Sequence, residues 1–205
     1  MNGPTGPGRS WTAWGLVVGP VAFVSAWAIG GLRMPDYSPV HDAISELAAI
    51  GSPERALMTT GFVVYGVAVM VGATSTRSTV IARVWPALVV NGLATLAVAA
   101  LPLDASAAGD RAHGVAAGVG YVSLALVPAL AAAPLERSGH RRAALVSVAA
   151  GVGIGACLAL TAVADAKGAF QRTGLGIGDA WLIAAGTFLL ATRSRLSASE
   201  EVIAR

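Results

Sequence analysis

Apolar residues fill this chain in six long blocks: 11–32, 56–76, 80–102, 112–134, 142–165 and 173–193. Each has about the length that crosses a bilayer as a helix. Short polar segments separate them, and the longest, residues 33–55, has room for an element of its own. The pattern predicts an all-α polytopic membrane protein: one six-transmembrane-helix bundle over 11–193. A Gly- and Pro-rich disordered tail precedes it at 1–10, and a short tail follows at 194–205. Glycines spaced by four, at Gly15/Gly19, Gly114/Gly118 and Gly151/Gly155, predict close helix packing. Asn91, in the middle of the third block, calls for a hydrogen bond to a neighbouring helix.

Composition narrows the class. The 205 residues are 55% hydrophobic and only 12% charged, against about 25% charged in soluble domains. The net charge of +3 is spread over short loops, which gives nucleic acid no basic surface to bind. The charges also sort by face. The N-terminal tail, the second and fourth loops and the C-terminal tail hold nine basic and three acidic residues; the other three loops and the ends beside them hold five and eight. Basic loops stay inside, so both termini are expected in the cytoplasm of a multi-pass cell-membrane protein. An alternative makes the first block a signal peptide cleaved near Ala26-Trp27-Ala28, but its length and Pro20 argue against that. The lone Cys157 forms no intramolecular disulfide.

The first outer loop carries the densest chemistry. From Ser38-Pro39 to Gly51 it reads as a short helix, interfacial or re-entrant, with Ser38 as cap, Pro39 at its first position and Gly51 as stop. Helical spacing stacks His41 on Ser45 and Asp42 on Glu46. Asp42 near a helix start also suits the helix dipole, whereas Glu46 beside Leu47 sits where an interfacial helix buries its side chain.

The three outward hairpins repeat one pattern. An aspartate follows each outgoing span (Asp36, Asp104, Asp165), and an arginine opens each returning span (Arg55, Arg111, Arg172). Three arginines at equal depth suit either an anionic group or ordinary Arg–acid pairs at headgroup level. His113 lies in the first turn of the fourth span. Asp179 lies about two turns into the sixth, where a carboxylate is costly and marks function, unless the helix starts late and Asp179 caps it.

These motifs in this order carry a resemblance. Ile44-Ser45-Glu46-Leu47 through Ser52-Pro53, Pro102 with Asp104, His113 with Gly114, and Gln171-Arg172 resemble a six-span bacterial membrane family catalogued as domain of unknown function 998. Leu101 stands where that family commonly has an aromatic residue. The resemblance implies an integral membrane protein and supplies no activity and no catalytic assignment.

The residues themselves point to an outward-facing polar site. Glu46, Asp42, His41, His113, Asp104 and Asp179 are candidates for acid–base chemistry on a lipid-like substrate. Arg55, Arg111, Arg172 and Ser45 are candidates for binding an anionic-headgroup or isoprenoid-like ligand. No cofactor is implied. Zinc is an option only through His41, His113 and carboxylates, without the usual ligand spacing. The alternatives are a lipid-binding accessory protein without turnover and, less well supported, a small transporter.

Overall fold

The computed structural model describes residues 11–203, with side chains through residue 192. The expected tail at 1–10 lies outside the described residues. Six helices follow in order: α1 (Gly15–Arg33), α2 (Arg55–Thr76), α3 (Trp85–Ala100), α4 (Ala107–Arg137), α5 (Arg141–Val163) and α6 (Lys167–Ile203). Single 3-10 turns at Trp11–Trp14 and Ala82–Val84 lead into α1 and α3. All six spans are long and apolar enough to cross a membrane. Sequence neighbours pack side by side, and α6 returns against α1, so the helices form a closed ring.

Large apolar side chains face outward as well as inward, and several polar side chains are buried. Leu32, Val115, Val152 and Val163 point outward, with 67–89% of their surface exposed, while Glu54, Asn91, His113 and Asp179 are buried. That distribution fits hydrocarbon as the surrounding solvent. Leu16, Phe23, Met58, Leu88, Leu124 and Leu182 fill the centre. Close helix contact is concentrated where the glycines need it. A methyl on Gly66 or Gly92 would meet the other's carbonyl oxygen at 2.8 or 2.6 Å, so α2 and α3 touch backbone to backbone beside Tyr65 and Asn91. Gly15, Gly19 and Gly151 also meet adjacent helices, whereas Gly114, Gly118 and Gly155 face open space and do not serve the packing expected of them.

Two helices start earlier than the hydropathy predicts, because polar first turns extend them. Ser106 caps α4, its Oγ accepting from Gly109 N–H at 3.0 Å. The Lys167 start of α6 places Asp179 twelve residues inside the helix, so Asp179 is no cap.

The first loop differs more. Helix is confined to a buried 3-10 turn at Ile44–Ala48. Residues 38–42 form a turn in which Ser38 Oγ accepts from His41 N–H and Asp42 Oδ2 accepts from Ser38 N–H. The backbone groups that a longer helix would pair internally are spent elsewhere. Val40 C=O accepts from Ala169 N–H at 3.0 Å, Ala43 N–H donates to Glu46 Oε1 at 3.1 Å, and Ile44 N–H donates to Gln171 Oε1 at 2.7 Å. Docking onto α6 has replaced the i→i−4 ladder. Gly168 permits that docking: a side chain there would run into the carbonyl oxygens of Asp42 and Pro39. Gly168→Ala is expected to cost about 1–3 kcal/mol through this overlap, read as a lower unfolding midpoint in detergent; an unchanged midpoint would contradict the docking.

A buried polar cavity beneath the first loop

The turn at Ile44–Ala48 roofs a cavity of about 60 Å³ between the helices. Ile44 and Ser45 form the roof, and Phe23, Phe62, Ala94, Val98, Ala117 and Leu175 supply apolar wall. The polar wall is Tyr65, Asn91, Thr95, His113, Tyr121 and Gln171. The volume has room for roughly four to six water-sized groups.

Part of the polar wall is closed on itself. Tyr65 hydroxyl donates to Asn91 Oδ1 at 3.0 Å, and Asn91 Nδ2 donates to Gly120 C=O at 2.9 Å. These bonds join α2, α3 and α4, so Asn91 has the interhelical partner its position demands. Tyr65→Phe leaves the amide oxygen unmatched and is expected to cost about 1–3 kcal/mol; equal unfolding midpoints for variant and wild type would show the bond contributes nothing.

The remainder is open. His113 is 5% exposed, and its Nδ1 donates to Leu101 C=O at 2.6 Å. A carbonyl only accepts, so Nδ1 carries the proton, and in the neutral ring Nε2 is a free lone pair. Nε2 is buried with no protein partner, as are the hydroxyl of Tyr121 and both carboxylate oxygens of Asp179. Asp179, 2% exposed, lies one helical turn beyond Leu175 on the same face of α6. Twelve residues of helix set it about 18 Å from the start of α6, well inside a hydrocarbon core about 30 Å thick.

The rim residues that the sequence singled out are placed differently. Glu46 Oε1 accepts from Ala43 N–H and Lys167 Nζ, both at 3.1 Å; Glu46 is only partly buried, and it ties the turn to α6. Asp42 closes the Ser38 turn, and His41 Nδ1 lies 3.2 Å from Asp165 C=O. Asp104 is exposed in a left-handed turn at φ 64°, its N–H donating to Asp110 Oδ1. Ser45 is buried in the roof. The three arginines divide by role. Arg55 and Arg111 are exposed, while Arg172 is turned into the loop. Its Nη1 donates to Pro39, Asp42 and Gly168 carbonyls at 2.7, 2.9 and 3.0 Å, and its Nη2 donates to Tyr37 hydroxyl. The guanidinium lies 5.5 and 5.3 Å from the Trp27 and Tyr37 ring centres. Burial pushes the Tyr37 phenol above its usual pKa against the opposing pull of Arg172, which keeps it a donor to Ala43 C=O at 3.0 Å. Among the described residues, no three His, Cys, Asp or Glu side chains converge as a metal site requires.

Of the ten candidate residues, the cavity has Ser45 and His113 in its lining; Asp179 is buried in α6 and is not among the lining residues. Sequence reasoning missed Tyr65, Tyr121 and Gln171 as lining groups. The available signal was a tyrosine hydroxyl in the middle of each of two apolar spans, which needs a partner there.

A closed ring of six helices, each long and apolar enough to span a membrane, with a small cavity beneath the first loop, defines the class: a polytopic helical membrane protein. The chain belongs to the family described as Protein of unknown function (DUF998), whose model matches residues 17–187. No curated protein and no solved structure matches it.

Proposed function

We propose that this protein binds the polar head of a lipid-like molecule in the cavity beneath the first loop, with His113 as the acid–base group that meets it. One observation carries the reading: buried polar atoms on His113 and Tyr121, both in the cavity lining, lack a hydrogen-bond partner. Buried polar groups are paired in nearly all folded proteins, so an exception of this size around a space calls for an occupant. The lone pair on Nε2, held by the Leu101 bond, is placed to accept a proton from a bound hydroxyl or amine. The excess of arginine at the opposite end of the bundle argues that the cavity's loop end faces outward at the cell membrane.

Native mass spectrometry of gently solubilised protein tests the binding. Wild type is expected to retain an adduct of lipid mass that His113→Ala loses while remaining folded; an empty wild type would contradict the proposal. Comparing the extracted lipid before and after incubation then separates two readings. Chemical change that needs His113 supports an enzyme. An unaltered lipid supports binding without turnover, a reading favoured by the structural use of Asp42 and Glu46 as turn caps. Orientation is checked with single cysteines at Ala105 and Ser138, both exposed, in a Cys157→Ala background. An impermeant reagent is expected to label position 105 from outside, and labelling of 138 instead would reverse the topology.

A further inference from the structure

We infer that the head group held in this cavity is an uncharged hydroxyl, that of a long-chain alcohol, which donates to His113 and accepts from the donors of the wall. This rests on the reading of the cavity as a lipid-like binding site and adds the chemical class of its occupant.

The wall offers hydrogen bonds of both senses. His113 Nε2 accepts, because Nδ1 already donates to Leu101 C=O. Gln171 spends its Oε1 on Ile44 N–H, so the group it has left for the space is the amide Nε2, a donor. The Ser45 and Tyr121 hydroxyls donate or accept as an occupant requires. The remaining polar side chains are engaged within the protein: Tyr65 bonds Asn91, Asn91 bonds Gly120, and Thr95 Oγ1 donates to Asn91 C=O at 2.9 Å. An occupant that suits this wall must give one hydrogen and take others. A hydroxyl does both on a single atom. An ether brings acceptors alone and leaves His113 Nε2 unmatched, and an ammonium brings donors alone and leaves the Gln171 amide unmatched.

Charge and size agree. Among the described residues, none that lines the space is Asp, Glu, Lys or Arg. A charged head group would leave water for a wall without a counter-charge, which is costly for either sign. Arg172, the cation held in the loop, is not in the lining, and its guanidinium is taken up by three carbonyls, one hydroxyl and two rings. It is therefore not free to draw a phosphate into the cavity. A space of about 60 Å³ takes a hydroxyl with its first carbons. Phe23, Phe62, Val98 and Leu175 give those carbons apolar contact, and the rest of the tail lies outside the cavity.

The test is a native mass spectrometry titration of the full chain in neutral detergent with dodecanol, dodecyl methyl ether, dodecylamine and dodecyl phosphate. Wild type is expected to hold the alcohol at least about tenfold more tightly than the ether, which leaves a buried acceptor unmatched, and more tightly than either ion by a similar factor. His113→Phe keeps a ring and removes the acceptor, and it is expected to bind alcohol and ether alike. Amine or phosphate held as tightly as the alcohol by wild type overturns the uncharged head group while leaving the cavity as a binding site. Equal wild-type affinity for alcohol and ether overturns the donated bond, and an alcohol preference that survives His113→Phe overturns His113 as its acceptor. If none of the four probes is retained, the binding reading itself fails. The wild-type ranking decides even if the Phe variant does not fold.

Discussion

Replacing Arg172 with alanine is expected to release the first loop and to cost roughly 2–5 kcal/mol of stability. The side chain donates to three backbone carbonyls and to Tyr37. Removing it strands the carbonyls of Pro39 and Asp42 in a partly buried joint, at about 1–3 kcal/mol for each group left unmatched. The stacking on Trp27 and Tyr37 goes with it. Arg172→Lys should recover only part of the loss, because an ammonium lacks the planar fork that spans several acceptors. Thermal unfolding in detergent reads the stability, and limited proteolysis within residues 36–43 reads the loop. An alanine variant with unchanged midpoint and unchanged proteolysis would show that Arg172 does not hold the loop, and the anion-binding role suggested by its place in the sequence would return.

The second large effect runs the other way. Asp179→Leu is expected to stabilise the empty protein by about 1–4 kcal/mol, because a buried ionisable group without a partner is replaced by apolar volume. Leu124 and Leu182 already pack around that level of α6. Thermal unfolding in detergent reads the gain. A fall in midpoint would mean that Asp179 supports the fold through contacts other than hydrogen bonds.

The six-helix layout was legible because lipid as solvent makes span length and hydropathy nearly sufficient. Helix ends were less so. The Ser106 cap and the polar first turns of α4 and α6 carry helix outside the apolar blocks, and those six extra residues of α6 turn Asp179 from a possible cap into an interior carboxylate. The first-loop helix was overextended because its local signals are sound but its backbone bonds go to residues more than a hundred positions away, at Ala169 and Gln171. For the site, ionisable residues within spans drew attention to His113 and Asp179. The rim acids Asp42 and Glu46 attracted functional readings although their capping roles are local and could be read from turn chemistry. Tyr65 and Tyr121 gave no warning as a pair, since only the fold brings α2 and α4 to one cavity.

The most direct measurement fills the space and asks whether the ligand leaves. Ala94, buried in α3 at the cavity wall, becomes leucine, and native mass spectra are compared with wild type at matched thermal stability. The account predicts a lipid-mass adduct on wild type and none on Ala94→Leu. An adduct retained on the filled variant would place the ligand elsewhere and contradict the cavity as the functional site.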